Sequence, residues 1–339
     1  MELSQEDSLR LNVLLTQDVK AIRINESSMT LYALLPNKEA KIQLHPTFND
    51  ERYLRLVREL LASHYIDSPA GFPVFMSRWT RMQQSGNQNL DALLKLGEAE
   101  AVVYVVNSPD LTVEQASYAW WAIQSSEVAV ELLKNENISQ STLGENLRDF
   151  LLEFLPFENN STLIIRAIHL LVSNNLLSEE QKKSLLVKGN RKAHYLIGLL
   201  HCDSQILPGQ CLAHPSFEEL KIPVTNTQDS LSKLGHLLSA QGQNYLSILN
   251  TALNKFSDQE SVIALFQVMQ IYFQLEESKS INIPSQFADM MNSLEFLSTI
   301  HETQLNETLS HTNAVGTVLR KQLRPVCQPI LHHIEKLMQ

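Results

Sequence analysis

Four side chains of the types that ligate metals lie close together in the middle of the chain. His201 and Cys202 are followed after eight residues by Cys211, and His214 lies three positions further on. Two thiolates and two imidazoles are the ligand types and the number that tetrahedral zinc requires. The common zinc patterns, however, place two cysteines two to four residues apart, and Cys202 ends an apolar segment where it would serve as a small core residue. We therefore expect no bound metal, and these residues stand only as weak candidates.

The same cysteines could instead carry sulfur chemistry. A persulfide carrier would use Cys202 or Cys211 as an exposed thiolate with a lowered pKa. The chain has 3 cysteines, which cannot all pair with one another, and unpaired cysteines are typical of a reducing compartment. The first residues are polar and acidic, unlike a secretory signal peptide. Both observations predict a cytoplasmic protein.

Sequence motifs for catalysis are incomplete or missing. His301 and Glu302 begin a zinc-protease pattern, but Leu305 occupies the position of its second histidine. The chain contains no G-x-S-x-G nucleophile elbow, phosphate-binding loop or dinucleotide fingerprint. An iron–sulfur cluster held by one chain usually takes about four thiolates, more than this sequence offers. The sequence therefore predicts a non-enzymatic protein without a cofactor.

Arginine and tryptophan side chains are the best candidates for a partner-binding surface. Arg78, Trp79 and Arg81 lie in an aromatic-rich segment, and Trp120 and Trp121 are adjacent. Both residue types are enriched among the side chains that dominate binding energies. Neighbouring helical residues point in different directions, so the two adjacent tryptophans cannot both enter one core. We interpret these five residues as partner-binding, with anchoring of the core as the alternative.

The first 48 residues differ in pattern from the rest of the chain. Residues 6–15 fit a short helix, whereas residues 21–25, 29–35 and 40–44 are apolar at every second position. Turn-forming residues separate the three extended segments, which predicts a three-stranded β-meander. Because one helix and three strands bury little apolar surface, we expect this unit to pack on other helices.

From residue 50 onward the apolar residues recur with the period of a helix. Helix starts follow one another about every 13–18 residues, the length of a short helix with a tight loop. Four starts carry the capping-box pattern: Thr112 with Gln115, Thr142 with Glu145, Ser178 with Gln181, and Ser257 with Glu260. The sequence predicts a mainly α fold, an irregular α-solenoid-like stack of short helices with a small N-terminal helix and β-meander.

Prolines and glycines suggest where this helical part is divided. Residues 203–229 contain three prolines and lack helical periodicity, which indicates a linker. The predicted domains are therefore residues 1–48, 49–202 and 230–339, joined by that linker. Pro325 and Pro329 should break the last helix.

The charge is negative overall and unevenly distributed. The net charge is −10, and residues 83–160 carry 3 Lys/Arg against 12 Asp/Glu, whereas residues 161–201 carry 6 against 2. General nucleic-acid binding requires a broad basic surface, so it is disfavoured. RNA-linked regulation through the basic stretch stays an alternative. The apolar runs are too short to span a bilayer, so we expect no membrane partner.

Several blocks together resemble the family of the sulfur reduction protein DsrS. The resemblance covers roughly residues 1–200 and is carried by EDSLRLNVLL at 6–15, GFPVF at 71–75, RWTRM at 78–82, YAWWAI at 118–123, EFLPFE at 153–158 and RKAHYLIGLL at 191–200. It implies a cytoplasmic accessory protein of sulfur-oxidising bacteria, encoded beside the reverse dissimilatory sulfite reductase system. None of the blocks is a catalytic signature.

The leading hypothesis is therefore a helical scaffold that acts as an accessory or regulatory factor. It would bind another protein, and the resemblance points to a protein of the sulfur-oxidation system. The alternatives are the persulfide carrier and the RNA-linked regulator. Reactive thiols would favour the first alternative, and salt-sensitive retention of nucleic acid would favour the second.

Overall fold

The computed structural model describes residues 2–67, 90–220, 230–275 and 285–338. Helices make up most of these residues, and three strands near the N-terminus form an antiparallel sheet, which confirms the predicted mainly α fold with its small N-terminal helix and β-meander. The chain divides into two compact units, Met1–Leu151 and Leu152–Gln339. This division differs from the predicted boundaries after residue 48 and within residues 203–229.

The elements up to the division are α1 (Gln5–Leu15), β1 (Ala21–Asn25), β2 (Thr30–Leu35), β3 (Lys38–Gln43), α2 (Asp50–Ile66), α3 (Leu90–Leu93), α4 (Ala99–Val106), α5 (Val113–Ala122), α6 (Ser126–Leu132), α7 (Glu136–Ser139) and α8 (Thr142–Phe154), which crosses it. The later elements are α9 (Ser161–Ser173), α10 (Glu179–Gly189), α11 (His194–Leu200), α12 (Phe217–Leu220), α13 (Ser230–Leu238), α14 (Ala240–Lys255), α15 (Gln259–Tyr272), α16 (Ala288–Ser298), α17 (Asn306–Leu309), α18 (Gly316–Gln322) and α19 (Arg324–Met338). Short 3₁₀ helices cover Ser204–Ile206, Ser285–Phe287 and Glu302–Leu305.

The β-meander packs one face on helices α1 and α2. Both strand pairs are antiparallel, and the order in the sheet is β1-β2-β3. Leu31 of β2 pairs with Ile42 of β3, and both are buried in one core with Leu11 of α1 and Val57 of α2. β2 begins one residue later than predicted because Met29, at φ 47°, belongs to the turn. Period-two apolar positions thus form the inner face of the sheet.

A buried carboxylate joins the helices of the first unit to the sheet. Asp7 is fully buried and accepts hydrogen bonds from the Tyr53 hydroxyl at 2.5 Å and from the His45 backbone N–H at 2.7 Å. Burial raises the pKa of Asp7, but the hydrogen bonds from Tyr53 and His45 outweigh it and leave the pKa below its usual value. One charged group therefore connects α1, α2 and the segment after β3.

Helix α11 lies at the centre of the second unit. All seven of its residues are buried, and it contacts α9, α10, α14 and α15. Its contacts are therefore not restricted to the helices that precede and follow it in sequence. The close approach to α9 depends on Gly198, because a Cβ at this position would lie 2.7 Å from the Cβ of Ile168.

The N-terminal end of α11 is held by the junction between α14 and α15. His194 Nε2 lies 2.6 Å from Asp258 Oδ2, and the Ser257 hydroxyl donates to the same oxygen at 2.8 Å. The other oxygen, Oδ1, accepts the Ser261 backbone N–H at 2.9 Å, so Asp258 is the N-cap of α15. Burial raises the pKa of Asp258, but these hydrogen bonds outweigh it and hold the pKa well below its usual value.

Two of the predicted capping boxes are confirmed and two are wrong. Thr112 and Ser178 cap α5 and α10 as predicted. Thr142 is already the first helical residue of α8 rather than the residue before it. Asp258 rather than Ser257 caps α15, because the carboxylate satisfies both the first turn of that helix and His194.

The prolines of the last helix do not break it. α19 runs from Arg324 to Met338 with Pro329 inside it, so the predicted break is wrong. Pro325 falls in the first turn, where its missing N–H would have had no partner within the helix. Pro329 removes a backbone hydrogen bond and crowds the preceding turn, but this loss of stability is confined to one early turn of a 15-residue helix.

The described part of the predicted linker packs on helices of the second unit. The Asn244 side-chain amide donates to the Pro208 carbonyl at 3.2 Å, and the His214 backbone N–H donates to the Leu238 carbonyl at 2.8 Å. Leu207 is buried. The segment contains prolines and little helix, but its backbone still packs on neighbouring helices.

Replacing Asp258 by alanine should destabilise the protein strongly. The change removes an N-cap, worth about 1 kcal/mol, and leaves the buried His194 ring without its partner, which costs about 1–3 kcal/mol more. We expect the free energy of unfolding, measured by urea titration with far-UV circular dichroism, to fall by about 2–4 kcal/mol.

Glu260→Gln is the matched control, because Glu260 lies exposed in the first turn of the same helix and makes no cap. Equal stability of Asp258→Ala and Glu260→Gln would contradict the role assigned to Asp258.

Candidate functional site

Helices α9 and α11 bring two histidines and a cysteine together. His169 lies on α9, while His201 and Cys202 directly follow α11. The Cys202 sulfur lies 3.7 Å from His169 Nδ1 and 3.7 Å from the Ser173 hydroxyl. The rings of His169 and His201 are tilted, with centroids 5.9 Å apart. These four side chains are called the His–Cys cluster below.

Burial decides the protonation states of the His–Cys cluster. It raises the pKa of the Cys202 thiol to about 11 and lowers the pKa of His169. Burial, together with the neighbouring His169, lowers the pKa of His201 to about 4. At neutral pH the thiol is therefore protonated and both imidazoles are neutral. This arrangement lacks the thiolate and imidazolium that an activated cysteine nucleophile requires.

A small cavity of about 380 Å³ lies beside the His–Cys cluster. Its lining combines both histidine rings with apolar side chains and a few polar groups: Thr162, Ile165, Arg166, His169, His201, Glu260, Ile263, Ala264 and Gln267. The Nε2 atom of His201 is buried without a hydrogen-bond partner among the described residues. The volume lies at the lower end of the range for small-molecule sites, so the cavity could admit a small, largely apolar molecule.

The four weak metal candidates do not form one site. Cys211 lies 3.8 Å from the Asn244 side-chain oxygen, and His214 Nδ1 accepts the Ser216 backbone N–H at 3.1 Å. Across the described ranges, no group of three or more histidine, cysteine or carboxylate side chains could hold a metal ion. The structure instead pairs Cys202 with His169, a contact that no motif in the sequence predicted. The four-residue spacing of His169 and Ser173 on one helix face was the available signal.

The two adjacent tryptophans point to different neighbours, as predicted. The Trp120 ring packs edge-to-face on Phe150, with centroids 4.9 Å apart. The Trp121 ring instead lies 4.6 Å from the guanidinium carbon of Arg23, and its Nε1–H donates to Glu39 at 3.0 Å. Both tryptophans are half-buried. The other predicted partner-binding residues, Arg78, Trp79 and Arg81, lie outside the described residues.

Trp121 extends a row of side chains on the outer face of the sheet. Arg23, Tyr32 and Lys41 pair across the three strands, so their side chains share one face. The Tyr32 ring centroid lies 5.0 Å from the Arg23 guanidinium carbon and 5.8 Å from the Lys41 ammonium nitrogen. Arg23, Tyr32, Lys41, Trp121 and Glu39 are called the meander surface below. The outward positions of the four strand residues follow from the alternation in the sequence, but the contact with Trp121, on helix α5, does not.

No helix within the described ranges is long and apolar enough to cross a membrane. Comparisons of the chain with protein-family models, with curated proteins and with solved structures give no match. The resemblance to the DsrS family therefore stays a prediction.

The three thiols should differ sharply in reactivity. Cys202 and Cys327 are buried, and burial raises their pKa values to about 11 and about 12, whereas Cys211 is half-buried. In a titration of the native protein with Ellman's reagent at pH 8, we expect one fast-reacting thiol per chain and two that react only on unfolding. Cys211→Ser should abolish the fast phase. A fast phase that persists in Cys211→Ser would show that Cys202 or Cys327 is accessible.

The half-buried His201 ring should make the fold sensitive to acid. Its pKa is about 4 in the folded chain and 6.5 ordinarily, so the unfolded chain binds more protons between these values. The contribution of the neutral His201 ring to the free energy of unfolding is therefore complete above pH 6.5, and it is lost as the pH falls towards 4. Between pH 7 and pH 5, His201→Gln should reduce the loss of unfolding free energy by about 2 kcal/mol relative to wild type.

His301→Gln, which removes an exposed histidine, is the matched control for the loss of one imidazole. Identical pH dependence of wild type and His201→Gln in urea titrations would contradict the neutral state of His201 in the folded chain.

Proposed function

We propose that this chain is a cytoplasmic, non-enzymatic accessory or regulatory protein that binds another protein through the meander surface. The observation that carries the proposal is the half-exposed stack in which Arg23 lies between the Tyr32 and Trp121 rings. Arginine, tyrosine and tryptophan are the residue types that most often dominate protein interfaces.

The side chains of the meander surface are held in place before any partner binds. The Arg23 guanidinium donates to the Trp121 carbonyl at 3.3 Å and to Glu39 at 3.4 Å. Because Trp121 also donates to Glu39, the guanidinium and the indole ring are fixed by the same carboxylate. Side chains ordered in advance lose less conformational entropy on association, which favours affinity.

Sulfur metabolism is the proposed biological setting, and it rests on the resemblance of residues 1–200 to the DsrS family. The proposed partner is accordingly a protein of the sulfur-oxidation system. The helical body would act as a scaffold that presents the meander surface.

The alternative functions receive less support. Cys202 is buried and its pKa is raised to about 11, which disfavours it as a persulfide carrier, whereas Cys211 is half-buried. The basic stretch 161–201 is partly engaged internally: Lys182 is buried against Glu179, and Lys192 donates to the Glu158 carbonyl. These two of its six cations are thus less available to contact phosphates.

Substitutions in the meander surface should weaken partner capture without unfolding the protein. Tyr32→Ser with Lys41→Glu removes one ring of the stack and reverses an exposed charge. We expect the affinity for the partner to fall about tenfold or more, as at a binding hot spot. Tagged wild type and variant are compared by affinity purification from native lysate, followed by calorimetry with the purified partner.

Lys38→Glu is the matched control, since Lys38 is exposed on the same strand but outside the stack. It should retain the partner, and all three proteins should melt within a few degrees of one another. A variant that melts normally and still captures the partner with wild-type affinity would overturn the proposal.

A further inference from the structure

The second unit contains an open cleft of about 780 Å³ between the end of α14, α18 and α19. None of the residues on which the preceding proposal depends contributes to it. The cleft is lined by Leu253, Asn254, Phe256, Thr317, Val318, Arg320, Lys321, Arg324, Cys327, Gln328, Leu331, His332 and Glu335.

The base of the cleft is apolar. Leu253, Phe256 and Cys327 are buried there, and Leu331 is half-buried beside them. Val318 stands at the edge with 59% of its surface exposed. An exposed valine next to a line of apolar side chains provides a surface that an apolar ligand group would remove from water.

Positive charge surrounds this apolar base. Arg320, Lys321 and Arg324 line the cleft, and none of them takes part in an ion pair within the described ranges. Glu335 is the carboxylate in the lining. The net charge of the chain is −10, so three cations around one cleft, none of them in an ion pair among the described residues, indicate an anionic ligand group.

The backbone holds the cationic side of the cleft in position. The Arg320 guanidinium donates to the Phe256 carbonyl at 2.6 Å, and the Gly316 N–H donates to the Ser257 carbonyl at 2.6 Å. Gly316 has φ +59°, a conformation that other residues rarely adopt, and it begins α18. Arg320 and Lys321 therefore lie in the last turn of a helix whose start is bonded to the backbone after α14, and Arg324 begins the next helix.

We propose that this cleft binds an amphiphilic carboxylate as a free monomer. The alkyl or aryl body lies along Phe256, Val318 and Leu331, and the carboxylate is bound by Arg320, Lys321 and Arg324. The volume is within the range of small-molecule sites. Guanidinium groups bind carboxylates with paired hydrogen bonds, which gives the head group its orientation. This site is independent of the meander surface.

Dodecanoate is the probe, titrated into the full chain by calorimetry below its critical micelle concentration. We expect saturable binding, and we expect Lys321→Gln with Arg324→Gln to weaken it about tenfold or more, since two of the three cations are lost. These side chains are exposed, so the fold should persist in circular dichroism. Lys336→Gln, at an exposed lysine of α19 that does not line the cleft, is the matched control and should bind normally.

Val318→Asn tests the apolar part without adding a charge and should also weaken binding of dodecanoate several-fold. Dodecyltrimethylammonium, which has the same chain and a cationic head, should bind far more weakly than dodecanoate. Equal binding of the two amphiphiles, or wild-type affinity in the Lys321/Arg324 variant, would overturn the proposal. Binding to phosphatidylglycerol vesicles without binding of monomeric dodecanoate would overturn it in favour of a membrane surface.

Discussion

The hydrogen bonds around the Asp258 carboxylate hold the second unit together at one junction. The group lies between α14 and α15, where it caps α15 and contacts His194 at the buried start of α11. This carboxylate is half-buried, and His194, Ser257 and Ser261 supply hydrogen bonds that compensate for its lost hydration. Removing the carboxylate would leave a helix uncapped and a histidine without its partner at once.

The same junction extends to the other side of the unit through its backbone. The carbonyls of Phe256 and Ser257, directly before Asp258, accept Arg320 and the Gly316 N–H. The position of α11, and with it Cys202, therefore depends on the same few residues that position the cationic cleft. Burial around α11 also makes its neighbouring groups unreactive, because it disfavours the thiolate and the imidazolium alike. The groups that are available for binding therefore lie on the surfaces of the two units.

Local patterns were predictable from the sequence, and long-range contacts were not. Period-two apolar positions predicted the strands, and the Thr112 and Ser178 capping boxes predicted two helix starts, because each depends on residues a few positions apart. The cap of α15 was misplaced because His194, 64 residues away, favours Asp258. The contact of Arg23 with Trp121 joins residues 98 apart, and no short-range pattern encodes it. The prolines in residues 203–229 likewise suggested a linker, because the sequence does not show that the Asn244 side chain donates to the Pro208 carbonyl.

Protein binding through the meander surface is tested most directly by photo-crosslinking in the native cell. A benzophenone amino acid replaces Lys41 in one strain and Val187, which is 69% exposed on α10, in another. Irradiation should join the chain with the probe at position 41 to a second protein in an adduct of defined mass, whereas the probe at position 187 should give none. An adduct only at position 187, or none at position 41 while the partner still co-purifies, would contradict binding through the meander surface.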